Sequence, residues 1–363
     1  MTPLARRLAE RIRRDGALSI ADYMSEALGD PDFGYYRKRD PFGAAGDFVT
    51  APEISQIFGE LIGIWMAAVW AQMGAPARVR IIELGPGRGT LMQDALRAAR
   101  VMRGFTEAIA VHLIEISPVL RAAQRETLRN AGVTVDWHTS FGDVPPGPAI
   151  VIANEFFDAV PVDQAVKAED GWHERRVGID AQDRLAFVLA PAPIPQFERL
   201  LPSALHDAPA AAVFEWRAHD LALALGHRLA EQGGAGLVID YGHAESVSGG
   251  TLQAVGRHIF ADPLQTPGEL DVTAHVDFAA LKQAIGTGGA ATVGPIEQGE
   301  WLARMGIAAR AERLKAKASP ETAQAIDSAV VRLTGRGEGE MGRLFKVLGL
   351  TQPTLGPLPG FES

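Results

Sequence analysis

Three glycines at alternate positions, Gly85, Gly87 and Gly89, follow Glu83, and a second acid, Glu115, closes the next apolar run. Bare glycine backbone adopts positive φ and lets a ligand lie directly on the peptide. The G-x-G-x-G spacing departs from the G-x-G-x-x-G pattern that grips a pyrophosphate. A carboxylate two places upstream suits a cation better than a phosphate. S-adenosylmethionine carries an ammonium and a sulfonium and fits on charge grounds, with Glu115 placed to accept both ribose hydroxyls. An ordinary tight turn beside two solvated acids is the competing reading.

A second reactive group stands in Ala153-Asn154-Glu155-Phe156-Phe157-Asp158, directly after the apolar run Ala149 to Ala153. Methyl transfer from a sulfonium needs little acid–base help, so alignment of the acceptor dominates. Glu155 and Asp158 suit a guanidinium, whose forked N–H donors match carboxylate geometry. They would hold it in line and take up its proton as the nitrogen is alkylated, with Asn154 close by. Phe156 or Phe157 would stack on the same cation. In the alternative, Asn154 and Asp158 satisfy backbone N–H groups and both phenylalanines belong to the core.

Other polar residues leave two readings each. Asp47, in Gly46-Asp47-Phe48-Val49-Thr50, either binds the methionine end of the cofactor or the substrate, or forms a local Asx turn. Asp240 and Tyr241 either line the acceptor pocket or pack a strand end. His275 is a base or substrate contact, or a structural histidine beside a helix start. His258 is a further polar group. The nine histidines show no H-E-x-x-H spacing and imply no metal. No G-x-S-x-G elbow is present, which argues against a serine hydrolase.

These residues need a scaffold that brings strand ends together. The runs ending at Leu84, Glu115, Ala153 and Asp240 alternate with helical stretches, the pattern of a doubly wound, mostly parallel sheet. Its ligands bind beyond the carboxyl ends of the strands. A helix from Thr90 to about Arg103 should start at the glycine loop, with Thr90 as its cap. Thr50-Ala51-Pro52-Glu53 reads as a capping box for a core helix carrying Ile54, Ile57, Phe58, Leu61, Ile62 and Trp65. Ser117 should cap a helix from Pro118 to about Asn130, and Asp277 one from Phe278. Residues 161–235 change character, with short strands, a proline-rich passage and an alanine-rich helix from about Trp216. The organisation expected is an N-terminal helical extension (1–78), a first half of the main domain (79–160), an inserted α+β unit (161–235), a second half (236–351) and a tail.

The 363 residues carry a formal charge of −9 and no cysteine. That balance argues against a nucleic-acid surface, and thiolate chemistry is excluded. No apolar run is long enough to span a bilayer. The arginine-rich N-terminus holds Glu10 and Asp15 and lacks early serine, a poor match to a targeting helix. A bacterial cytosolic protein is the expectation, or a mitochondrial matrix protein if the source is eukaryotic.

Taken in order, Gly46 to Ser55, Glu83 to Leu91, Glu115-Ile116-Ser117-Pro118, Ala153 to Asp158, Ile239-Asp240-Tyr241-Gly242, Gly250-Thr251-Leu252 and Asp271 to Phe278 resemble the MidA family of class I S-adenosylmethionine-dependent methyltransferases. The resemblance covers residues 20 to about 350 and implies a Rossmann-like sheet with added helices. It further implies a protein arginine methyltransferase that makes symmetric dimethylarginine on the quinone-pocket subunit of respiratory complex I during assembly. A non-catalytic, cofactor-binding assembly factor and a methyltransferase for a small molecule or another residue type are the rivals.

Overall fold

The computed structural model describes residues 1–38, 50–256 and 259–362. The N-terminal stripe of Leu4, Leu8 and Ile12 is buried on α1 (Pro3–Asp15), where the Thr2 hydroxyl accepts from the N–H of Ala5. A two-residue strand, β1 (Leu18–Ser19), leads into α2 (Ile20–Gly29), and α3 (Tyr35–Lys38) is a single turn. The expected capping box is not formed. α4 (Ala51–Ile54) has no side-chain cap from Thr50, and the chain breaks before α5 (Gln56–Gln72), which Ser55 caps by accepting from the N–H of Ile57. Glu53 instead accepts from the Thr90 hydroxyl at 2.6 Å. The apolar face of α5 is buried as its sequence requires, Ile57, Phe58, Leu61, Ile62 and Trp65 included.

The continuous apolar runs become interior parallel strands, as burial on both faces demands. In chain order the segment runs β2 (Val79–Leu84), α6 (Thr90–Ala99), α7 (Phe105–Ala108), β3 (Ile109–Ile114), α8 (Pro118–Leu128), β4 (Thr134–His138) and β5 (Ala149–Asn154). Of these strands β2, β3 and β5 are interior, and the half-exposed β4 lies at the sheet edge. α6 stops short of Arg103, and its cap is Gly89 in the left-handed region with no side-chain bond, so Thr90 is not the cap. Ser117 does cap α8, accepting from the N–H of Leu120.

After β5 the chain builds a smaller antiparallel sheet from β6 (Val162–Ala168), β7 (Gly171–Ile179), β8 (Leu185–Leu189) and β9 (Val213–Arg217). It takes β1 as an edge strand and packs Trp172, Phe197 and Phe214 beneath it. The alternation of Val213, Glu215 and Arg217 with Phe214 and Trp216 makes β9 a strand where a helix was expected from Trp216. The helix α9 (Asp220–Gln232) begins only after it and leads directly into β10 (Gly234–His243), which runs parallel to β5.

Downstream, β11 (Gln253–Gly256), β12 (Ile259–Ala261) and β13 (Asp271–Thr273) form a small antiparallel sheet, and β14 (Val276–Asp277) lies beside the end of β10. Asp277 caps α10 (Phe278–Thr287), accepting from the N–H of Ala280 at 3.0 Å. β15 (Ala291–Glu297) then joins the main sheet, followed by α11 (Gln298–Arg304), α12 (Ile307–Lys315), α13 (Pro320–Thr334), α14 (Met341–Leu344) and β16 (Phe345–Thr351). β16 runs antiparallel between β10 and β15.

The main-sheet order β15-β16-β10-β5-β2-β3-β4 reverses direction between β2 and β5. That switch point is where an open α/β sheet leaves a crevice beyond its carboxyl ends. The two faces of the sheet are covered by separate clusters, one around α5, α6 and the helices after 300, the other around α9 and α10. Glu60, 1% exposed, ties the first cluster together. It accepts two bonds from Arg310 of α12, at 2.7 and 2.9 Å, and meets Arg97 of α6 at 3.1 Å. Among the described residues no helix is long and apolar enough to cross a membrane.

Candidate active site

The glycine loop takes the conformation its composition allows. Gly85, Gly87 and Gly89 have φ of +60°, +53° and +85°. A Cβ on Gly85 would come within 2.8 Å of the Phe156 ring, so the strand end and the loop are fitted together. Two adjoining cavities open on this loop and share Gly85, Gly87 and Glu155. The larger, about 420 Å³, is lined by Ile114, Glu115, Leu120, Thr139 and Phe156, and by Leu28 and Tyr36 from the N-terminal extension. The smaller, about 40 Å³, is lined by Glu53, Glu83, Arg88, Thr90 and Asn154.

Glu83 is 2% exposed, and burial pushes its carboxyl up to about 8. Its Oε2 and the Oδ1 of Asn154 are buried with no hydrogen-bond partner among the described residues. Glu115 is held from two sides: Oε1 accepts from the N–H of Ser117 at 2.7 Å and Oε2 from Gln124 Nε2 at 3.2 Å. Burial raises its pKa against these bonds. Gln124 also donates to the carbonyl of Gly87 at 2.7 Å and accepts from the Trp137 indole at 2.9 Å, so one amide links the second acid to the glycine loop. Nothing in the sequence singled out Gln124; its only signal is a polar residue on the sheet-facing side of α8. Glu53, Tyr36 and Thr139 were missed for the same reason, since each reaches the groove from an element far away in the chain.

Glu155 sits where the two cavities meet, in the left-handed region at φ +48°. Its Oε1 accepts from the N–H of Ala51 at 3.2 Å and from Asn154 Nδ2 at 3.3 Å. The residue keeps some exposure to the groove, yet its carboxyl is hemmed in by protein, and burial with the nearby Asp158 pushes it up to about 7. Asp158 itself lines neither cavity. It is 7% exposed and accepts from the N–H of Ala159 at 2.8 Å. Burial raises its pKa, while Tyr241 and Arg217 act against that. The structure therefore brings Asn154 and Glu155 to the groove and sets Asp158 behind them.

Asp240 and Tyr241 pack the strand end. Asp240 Oδ2 accepts from the N–H groups of Phe156, Phe157 and Asp158, and Tyr241 donates its hydroxyl to Thr273. His275 lines neither cavity. Its ring meets Tyr241 edge-on at 5.4 Å, its backbone N–H donates to the Thr251 hydroxyl, and burial lowers its pKa. Asp47 and His258 lie outside the described residues. No group of His, Asp and Glu among the described residues is arranged to hold a metal.

Residues 61–296 match the family described as S-adenosyl-L-methionine-dependent methyltransferase. The chain belongs to that family. This methyltransferase is 38% identical over 347 residues to the human protein arginine methyltransferase NDUFAF7, mitochondrial, covering 88% of this chain and 77% of that one. To its Danio rerio counterpart it is 36% identical over 394 residues, covering 99% and 92%. Among solved structures, a COG1565 superfamily member from Burkholderia thailandensis bound to S-adenosyl-homocysteine matches with a TM-score of 0.84 at 32% identity, covering 99% of this chain and 94% of that one.

The cofactor fits the groove on the methyltransferase's own atoms. The unpartnered Oε2 of Glu83 and Oδ1 of Asn154 would accept from an ammonium, as buried acceptors require. Gly85 and Gly87 line both cavities and would lie along the chain of the ligand, and Glu115 would take the ribose hydroxyls. When bound, S-adenosylmethionine supplies an electrophilic methyl group on a sulfonium. The protein would contribute alignment and exclusion of water, with Leu28, Tyr36 and Phe156 in the wall of the larger cavity.

Proposed function

We propose that this methyltransferase modifies arginine on a protein, making symmetric dimethylarginine on the quinone-pocket subunit of respiratory complex I during assembly. The observation that carries the acceptor chemistry is Glu155, a carboxylate at the junction of the two cavities with a pKa near neutrality. A guanidinium entering there would meet its acceptor oxygens in a water-poor setting, where charge-assisted hydrogen bonds are strong. Glu155 would accept the proton that the guanidinium nitrogen gives up as it takes the methyl group, and a base poised near the working pH is suited to that. Asn154 steadies Glu155 through the bond between their side chains. Asp158, behind the groove, raises the basicity of Glu155, and His275 packs against Tyr241 at the strand end. The names of the relatives, protein arginine methyltransferases, support the acceptor class. The reading puts the protein where the peripheral arm of complex I is assembled, the bacterial cytoplasm or the mitochondrial matrix.

Mass spectrometry of complex I subunits from cells with and without this protein tests the reading. A dimethylated arginine in the quinone-pocket subunit, lost with the protein, is expected. An unmodified subunit in both cells would reject the acceptor, and a methyl group on another residue type would move it.

A further inference from the structure

We propose that Asp240 is the positioning residue for Glu155, holding the chain after β5 in the one path that aims the Glu155 carboxylate at the donor. The inference rests on the reading of Glu155 as the group that meets the guanidinium.

In the ladder, Asn154 pairs with Ile239 and the N–H of Glu155 still donates to the carbonyl of Ile239 at 2.9 Å. The next residue on β10 is Asp240, fully buried. Its Oδ2 accepts from the N–H groups of Phe156, Phe157 and Asp158 at 3.2, 2.9 and 3.1 Å, and its Oδ1 accepts from its neighbour Tyr241 at 2.9 Å. Three successive N–H groups converging on one oxygen oblige the chain to curl around that oxygen at the end of β5. The curl leaves Glu155 at φ +48°, a region that a non-glycine residue occupies only when its surroundings impose it. From there its Oε1 reaches the N–H of Ala51, between the cavity-lining Thr50 and Pro52.

Both oxygens of Asp240 are used as acceptors. An ionised carboxylate satisfies that demand and an amide cannot, because one of its two ends is a donor. Burial, with Asp158 and Glu155 nearby, pushes the Asp240 carboxyl well above the usual carboxylate range, while the N–H donors and Arg217 act against that. Asp240 touches neither cavity, so it acts through Glu155 and not on the ligand.

Asp240→Asn tests this. A crystal structure of the variant with S-adenosylhomocysteine should show Glu155 returned to negative φ and its bond to Ala51 broken, with the glycine loop unchanged. Calorimetry should give a dissociation constant for S-adenosylhomocysteine within about threefold of the parent, because cofactor contacts are not touched. Methyl transfer should fall about 100-fold in kcat, the scale of a misplaced catalytic group, and Glu155→Gln combined with Asp240→Asn should be no slower than Glu155→Gln alone. Additive losses, or a Glu155 that stays in place, would overturn the inference. If the parent methylates no arginine, the acceptor reading fails while the crystal structure still decides this point. Should the variant not fold, hydrogen exchange on the parent decides it: the amides of 156–158 must be protected like strand amides, and fast exchange would reject the role.

Discussion

Glu83 and Asn154 lie at the carboxyl ends of adjacent parallel strands, Glu83 one residue before the last of β2. Each leaves one buried oxygen without a hydrogen-bond partner among the described residues, and both residues line the same small cavity. Two such acceptors side by side in a buried setting amount to a vacancy for a donor. Glu83→Gln should weaken S-adenosylmethionine binding by roughly 10- to 100-fold, the value of a hydrogen bond to a charged group. Isothermal calorimetry measures this, and unchanged affinity would take Glu83 out of the cofactor site.

The same carboxyl should make stability depend on pH. Burial raises Glu83 from the ordinary 4.5 to about 8. A carboxyl that holds its proton more tightly when folded contributes stability that is complete below its unfolded pKa and is lost as pH rises through the folded one. The cofactor-free protein should therefore lose melting temperature between about pH 5 and pH 8, and Glu83→Gln should flatten that slope. Because the ligand is cationic, its affinity should run the other way, rising over the interval in which Glu83 and Glu155 ionise. Scanning calorimetry and binding titrations at several pH values check both signs.

Gly85→Ala places a Cβ 2.8 Å from the Phe156 ring at a residue with φ of +60°. Strain of this kind costs about 1–3 kcal/mol, and moving Phe156 to relieve it narrows the larger cavity. A lower melting temperature together with lost cofactor binding is expected; a variant that melts lower yet binds normally would show that the loop does not carry the ligand.

Glu155→Gln keeps the shape of the side chain and its acceptor toward Ala51 but removes the base. Cofactor affinity should change little while methyl transfer to the protein substrate falls by about 100-fold or more. Turnover equal to the parent would reject Glu155 as the group that meets the guanidinium.

Glu60→Ala would leave Arg310 and Arg97 without their shared partner. Breaking a buried ion pair from one side costs about 3–5 kcal/mol, reduced here because Arg97 and Arg310 are themselves partly exposed, at 46% and 31% of their side chains. The expected result is a drop in melting temperature with cofactor affinity retained, since Glu60 lies outside both cavities.

The strands that carry the site were legible because each is an unbroken apolar run bounded by a polar or glycine-rich end. Gly85, Gly87, Glu83, Glu115, Asn154 and Glu155 all line the groove, whereas Gly89 lines neither cavity and faces Gln124 and Leu128. What stayed hidden depends on contacts between distant segments. β15 contains Gly294-Pro295, and proline inside a run reads as a break unless the strand is known to lie at an edge. β9 resembled the start of a helix because its aromatic residues, Phe214 and Trp216, are also compatible with one. The pairing of Glu53 with Thr90 could not be told from a local capping box, since both use the same residue types. From the sequence Asp158 reads as the partner of Glu155 for the guanidinium, and Asp240 as either lining the acceptor pocket or packing a strand end. Only the fold shows that Asp240 turns back onto amides more than eighty positions upstream.

The position of β16 has a consequence for how the protein is made. The seven-residue strand Phe345–Thr351 is wedged between β10 and β15, and the segment after it returns to α5, where Trp65 and Gln72 donate to the carbonyls of Pro359 and Pro357. The ribosome must therefore release β16 before the main sheet can close between β10 and β15. Until then the nascent chain has an open flank at β10, a place for chaperones to bind or for neighbouring chains to aggregate.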